Sequence, residues 1–211
     1  MLKTKQELLD EIADKIRNCK KCPLWQHRRN AVPGEGSPDA EIMFIGEAPG
    51  YHEDLQGRPF VGAAGKLLTE LIEGIGLRRE NVFITNVVKC RPPNNRDPTD
   101  DEISACSPYL DEQIKILSPK IIVTLGRHST IYILRKAGIS VSGISQVRGR
   151  VFDITFDDIK IRVIPTYHPA AALYNPKLKA DLEKDFNFIR SVYSGEYDKA
   201  KKKTITLEDF F

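Results

Sequence analysis

Four short apolar runs, residues 41–45, Val82-Phe83-Ile84-Thr85, Ile121-Ile122-Val123-Thr124-Leu125 and Ile161-Arg162-Val163-Ile164, are separated by segments of helical periodicity. Runs of this length, rich in β-branched residues, read as buried strands, and strands alternating with helices predict a parallel sheet covered on both faces. The expected fold is therefore α/β, a three-layer α/β/α sandwich around a central four-stranded, mostly parallel sheet. Between the strands, Ala64, Leu67, Leu68, Leu71, Ile72 and Ile75 form one helical stripe, and Thr99 with Glu102 forms a capping box that opens a second helix. Pro108 should kink that helix. A shorter helix follows Gly126, Asn175-Pro176 opens the last one, and Val151 to Ile154 reads as an extra edge strand. The chain of 211 residues suits one domain over 1–194, with 195–211 a basic linker and short apolar terminus projecting from it.

No apolar run approaches the ~20 residues needed to span a bilayer, so membrane insertion is not expected. Residues 1–16 read as an amphipathic helix, not a signal-peptide core, which gives a cytoplasmic expectation. The net charge of +3 says little about partners, but its distribution says more. Basic residues cluster at Lys20-Lys21, Arg28-Arg29, Lys89 to Arg96, Arg148 to Arg150 and Lys199 to Lys203, which suits a phosphate-facing surface if folding joins some of them.

Ligands of open parallel sheets sit beyond the carboxyl ends of the strands. That rule predicts that Glu47, Asn86 and His168, far apart in the chain, converge. The loop GEAPGYHEDLQGRPFVG lacks both G-x-x-x-x-G-K-[ST] and G-x-G-x-x-G, so the two common nucleotide-phosphate devices are missing. Its carboxylates Glu47, Glu53 and Asp54 would also repel a phosphate. Phe60, on a loop beside a strand-end pocket, suits stacking on a flat ligand, and His168, fixed by Pro169, suits a polar group aimed at it.

The cysteines lie at Cys19-x2-Cys22, Cys90 and Cys106. A disulfide framework is a poor fit to an intracellular chain of this size. Four thiolates suit a structural metal site, and zinc and a 4Fe-4S cluster both satisfy the spacing.

Taken together, GEAPGYHEDLQGRPFVGAAG, ITNVVKCRPPNNRDPT, the four cysteine positions and the HPAA segment resemble the family 4, iron-sulfur uracil-DNA glycosylases of thermophiles over residues 12 to 192. The resemblance implies a uracil-DNA glycosylase fold, a 4Fe-4S cluster on Cys19, Cys22, Cys90 and Cys106, and monofunctional hydrolysis of deoxyuridine in single- or double-stranded DNA. It implies that Phe60 stacks on a flipped uracil and that Asn86 reads its O4 and N3–H edge. His168, with backbone N–H groups of Gly46, Ala48 and their loop neighbours, would stabilise charge developing on O2. Related glycosylases carry Asp where this chain has Ala48 and Tyr where it has Gly50, so water positioning passes to Glu47 or Glu53. Asn95 would engage the DNA near the flipped nucleotide; Lys89, Arg91, Arg96 and Arg148 would contact phosphates; Leu173 would insert into the duplex. Thr204-x-x-Leu207-x-x-Phe210-Phe211 resembles a sliding-clamp (PCNA) interaction box, which points to an archaeal source. A monomer is expected. The competing expectations are a glycosylase of broader base choice and a non-catalytic DNA- and clamp-binding module.

Overall fold

The computed structural model describes residues 2–205. In chain order the elements are α1 (Lys5–Arg17), β1 (Glu35–Gly36), β2 (Ile42–Gly46), α2 (Tyr51–Gln56), α3 (Ala63–Gly74), β3 (Phe83–Asn86), α4 (Asp100–Leu117) and β4 (Ile121–Leu125). They continue with α5 (Arg127–Lys136), α6 (Ile144–Val147), β5 (Phe152–Phe156), β6 (Ile159–Thr166), α7 (Pro169–Ala172), α8 (Pro176–Tyr193) and α9 (Glu196–Ile205). Among the described residues no helix is long and apolar enough to cross a membrane.

The sheet order is β1-β3-β2-β4-β6-β5. The four expected strands are its parallel centre, β3-β2-β4-β6. Among the described residues the sheet has six strands, because β5 and β1 add antiparallel edges. β5 matches the anticipated edge strand. β1, two residues long, is too short for periodicity to reveal.

Successive side chains point to opposite faces of a strand, and here both faces are covered. Ile42 and Phe44, with Ile84, Val123 and Ile164, pack toward α3 and α8. Met43 and Ile45, with Phe83, Ile122 and Val163, pack toward α1, α4 and α5. Each such side chain contributes roughly 1.5–3 kcal/mol by burial, far more than the exposed ion pairs of the surface. The Thr99–Glu102 capping box opens α4 as expected, and the helix runs through Pro108 to Leu117 without a break.

The chain leaves β2 for β3 on one side of it and returns to β4 on the other. Loops at the carboxyl ends therefore diverge on either side of β2, which opens a crevice there.

Two sequence expectations are corrected. The segment from 195 does not project as a linker: α9 packs on α8, Arg162 donates to both carboxylate oxygens of Asp198 at 2.7 and 2.9 Å, and Tyr197 meets the Phe188 ring edge-on. Leu207, Phe210 and Phe211 lie outside the described residues. Arg148 is not a free phosphate contact. Its Nε and Nη2 donate to buried Asp185 at 3.1 and 2.8 Å, Nη2 also reaches the Asp181 carbonyl, and its plane covers Tyr167 at 4.9 Å. Asp185 also accepts from Thr166 Oγ1 at 2.6 Å, so the cluster ties α6 and α8 to the end of β6. Arg148→Met is expected to lower stability by on the order of 1–3 kcal/mol in a denaturant titration, the cost of leaving a buried carboxylate partner unsatisfied. Wild-type stability in that variant would return Arg148 to the surface role.

Candidate active site

The loop after β2 approaches β3 so closely that only glycine fits at its start. A Cβ on Gly46 would lie 2.3 Å from Asn86 Oδ1 and 2.7 Å from Phe60 Cζ. Gly65, in the first turn of α3, does the same for the Phe60 backbone, since a Cβ there would meet the Phe60 carbonyl oxygen at 1.9 Å. Phe60 itself is buried and left-handed at φ 51°, a conformation costing a non-glycine residue on the order of 1–2 kcal/mol. Its ring lies parallel to that of His168, centroids 5.5 Å apart and planes at 29°.

Glu53 holds this loop pair together. One carboxylate oxygen accepts from Gly50 N–H at 3.1 Å, the other from Val61 and Gly62 N–H at 2.9 and 3.1 Å. It sits at the third position of α2, where a carboxylate turns back to cap the helix start. Glu53 lines the cleft, but both its oxygens are already engaged by backbone, which gives it a bracing task.

Asn86 ends β3, 2% exposed, and the ladder continues past it as Val87 and Val88 donate to the Gly46 and Glu47 carbonyls. Among the described residues its Oδ1 is buried with no hydrogen-bond partner. Such an orphan acceptor costs about 1–3 kcal/mol and marks a position that a ligand donor would satisfy. Beneath it lies Lys89, and here the sequence expectation of a phosphate contact fails. Lys89 is 1% exposed, its Nζ donating to Thr85 Oγ1, the Asn86 carbonyl and Gln113 Oε1 at 2.6, 2.7 and 2.7 Å, and burial pulls its ammonium down to about 7. It braces the strand end from below.

His168 follows β6 and caps the short α7, its Nδ1 accepting the Ala170 N–H at 3.1 Å. That bond puts the proton of a neutral ring on Nε2. Burial lowers its pKa to about 4, against a smaller upward pull from Glu53. Glu47, Asn86, Phe60 and His168 thus meet as predicted, in a cleft of about 370 Å³ that also includes Ala48, Pro49, Gly50, Asn95 and Arg96. That volume is in the range of small-molecule sites.

Two site residues, His128 and Asp97, escaped the sequence reading. His128 Nε2, one residue into α5, lies 3.1 Å from Asp97 Oδ2 and 3.7 Å from Glu47 Oε2. Burial raises the Glu47 pKa and His128 opposes it. The strand-end rule that located His168 also applied to the loop after β4, and a histidine two residues past Gly126 was the available signal.

The rim carries the remaining candidates. Arg91 Nε donates to Asn95 Oδ1 at 2.7 Å, and Asn94 and Asn95 are consecutively left-handed at φ 54° and 53°. Arg96 grips Glu102 with both terminal nitrogens, at 2.8 and 2.7 Å, yet keeps an exposed flank. Leu173, after α7, is exposed as an inserting side chain must be, and Tyr174 beside it is 93% exposed.

The four cysteines gather without disulfides between the end of α1, the loop after β3 and α4, around one small cavity. Donors converge on them: Lys21 N–H on Cys19 at 3.5 Å, Arg28 on Cys90 at 3.1 Å, and Lys89 N–H on Cys106 at 3.2 Å. Burial pushes the Cys106 thiol up to about 12, so it ionises only against a strong electrophile such as a metal centre. Glu47, Asp97 and His128 form a separate group of possible metal ligands, their donor atoms all within 4.8 Å of one another.

Residues 33–190 match the family model described as the Uracil DNA glycosylase superfamily. The chain is 65% identical to the type-4 uracil-DNA glycosylase of Sulfurisphaera tokodaii over 87% of its own length and 84% of that protein. It is 58% identical to the type-4 enzyme of Saccharolobus solfataricus over 96% and 91%, and 44% identical to that of Thermotoga maritima over 89% and 97%.

The half-buried imidazole makes a pH prediction. An unfolded chain takes up the His168 proton near 6.5, the folded one only near 4, so stability present above pH 6.5 is lost progressively as pH falls toward 4. Thermal unfolding of the wild type should decline through that window and His168→Asn should decline less. Equal slopes would contradict a neutral, desolvated His168.

Proposed function

The chain belongs to the uracil DNA glycosylase superfamily, and we propose that its strand-end cleft excises uracil from DNA in base excision repair, hydrolysing the N-glycosidic bond of deoxyuridine to leave an abasic site. The observation that carries this reading is the orphan Asn86 Oδ1 facing Gly46 and Phe60.

A base inside a duplex cannot be reached by these residues, so the nucleotide must swing out into the cleft. Phe60 stacks on it. Asn86 Oδ1 accepts uracil N3–H while its amide N–H2 donates to O4. Cytosine reverses both partners, presenting an acceptor to the acceptor and an amino group to the donor. Sites built to hydrogen-bond a substrate edge reject the mismatched one by factors of order 10⁴–10⁵, and two buried mismatches are of that size.

As the glycosidic bond breaks, negative charge gathers on the base at O2 and positive charge on the sugar. His168 Nε2–H donates to O2 without needing a charged ring, together with N–H groups of the 46–50 loop; one such donor is worth about 10²–10³ in rate. Glu47 is the carboxylate free to orient the attacking water and face the cationic sugar, because Glu53 is occupied by three backbone N–H groups. His128 helps keep Glu47 ionised in its half-buried position. No lysine is among the residues lining the cleft, which supports hydrolysis without a lyase step.

We also read the cysteines as ligands of a 4Fe-4S cluster. Four thiolates around one small cavity satisfy either zinc or a cluster, and the resemblance of the four cysteine positions to the family 4 enzymes favours the cluster. Cys19, Cys22, Cys90 and Cys106 would hold it, with Arg28 and the Lys21 and Lys89 amides solvating the anionic sulfurs. When bound, such a cluster supplies a covalent staple between α1, the loop after β3 and α4. The tail residues Leu207, Phe210 and Phe211 suit the groove of a sliding clamp.

A uracil-containing oligonucleotide followed by alkaline cleavage tests the activity. Wild type should release uracil; Asn86→Ala and Glu47→Gln should lose at least about 10²-fold in single-turnover rate while still binding DNA. Undiminished release by both variants would sink the assignment.

A further inference from the structure

We propose that Tyr51 and Arg91 form a clamp for a nucleotide flanking the one in the cleft, the neighbouring base stacking on the Tyr51 ring and its phosphate bound by the Arg91 guanidinium. The inference rests on the glycosylase reading and extends it to the DNA outside the pocket.

Tyr51 is the first residue of α2, directly after the cleft residue Gly50, and is 47% exposed. Single exposed aromatics are ordinary, so exposure alone decides nothing. What sets Tyr51 apart is that its ring is held from two directions. The Arg91 guanidinium lies 5.1 Å from the ring centroid, and the His52 ring meets it edge-on at 5.5 Å.

Arg91 is aimed in turn. It is followed by Pro92 and Pro93, its Nε is fixed on Asn95 Oδ1, and Asn95 stands in a run of two left-handed residues closed by its own N–H on the Pro92 carbonyl. An exposed cation–π pair is too weak a reason to maintain so constrained a turn. Several other arginines are committed to carboxylates, Arg58 and Arg79 to Glu35, Arg96 to Glu102, Arg148 to Asp185 and Arg162 to Asp198, and Arg28 is engaged by Cys90 and the Arg17 carbonyl. Among the described residues, Arg91 has no carboxylate partner and its two terminal nitrogens no hydrogen-bond partner. A planar fork with free donors beside an exposed ring offers one surface for a base and one for a phosphate, the two parts of a nucleotide.

The flipped nucleotide supplies the reason. Once it leaves the stack, its neighbour loses a stacking partner, and an aromatic at the lip of the cleft replaces it. Stacking of this kind accepts any base, so the clamp adds affinity without adding sequence preference.

The test uses the whole protein and an oligonucleotide carrying a non-cleavable 2′-fluorodeoxyuridine, with the fluorescent base 2-aminopurine on its 5′ or 3′ side. Wild type should change the fluorescence at one of the two sides. Tyr51→Ala should abolish that change and weaken binding by roughly 5- to 150-fold, the worth of one base–aromatic stack, and Tyr51→Trp should restore both. Arg91→Ala should reduce the slope of log affinity against log salt by about one. Binding and fluorescence of Tyr51→Ala equal to wild type, in a protein that releases uracil, would overturn the clamp alone. A wild type that releases no uracil would overturn the catalytic reading and the clamp with it.

Discussion

An acceptor oxygen buried without a donor, Asn86 Oδ1, is the constraint to which the architecture of the cleft answers. Left to itself, an amide in that position would turn toward water or a neighbour and relieve the roughly 1–3 kcal/mol it costs. The surroundings leave it no such freedom. Gly46 and Phe60 close over one side, Gly65 lets α3 press on the Phe60 backbone, Glu53 locks the two loops together, and the Lys89 ammonium holds the Asn86 carbonyl from below. Each of these contacts removes a way for the pocket to collapse, and together they keep one hydrogen bond unmet, as the proposed reading of uracil requires.

The same constraint explains the distance between the cysteines and the cleft. Three residues separate Asn86 from Cys90, and within that span Lys89 gives its ammonium to the cleft side and its amide N–H to Cys106. A group held by the four cysteines would therefore tie Cys90 and Cys106 to the end of α1 and fix the loop that carries Asn86. The side chains proposed as catalytic, His168 and Glu47, line the cleft on loops after β2 and β6, whereas the cysteines line a separate cavity.

Much of this was legible in the chain because it depends on local pattern. The four parallel strands are continuous apolar runs, the start of α4 is a capping box, and the strand-end rule brought Glu47, Asn86 and His168 together before any coordinates. What escaped depends on partners remote in sequence. Lys89 reads as one of a basic run, and only Thr85 and Gln113 converging on its ammonium reveal that it is buried. Arg148 looked free until Asp185, 37 residues on, accepted its bonds. The linker at 195 is polar, and it folds back as α9 through Arg162 and Asp198. Glu53 was recognisable as a helix-capping residue three positions after Gly50, a local signal that competes with its appearance as a catalytic carboxylate.

The central claim is that Asn86 offers a fixed acceptor and donor that match uracil and oppose cytosine. Calorimetric titration of the free bases into the intact protein tests this apart from any chemistry or DNA contact. The account predicts measurable binding of uracil, none of cytosine at the same concentrations, and loss of uracil binding in Asn86→Ala. Equal binding of the two bases, or uracil binding that survives the loss of Asn86, would contradict it.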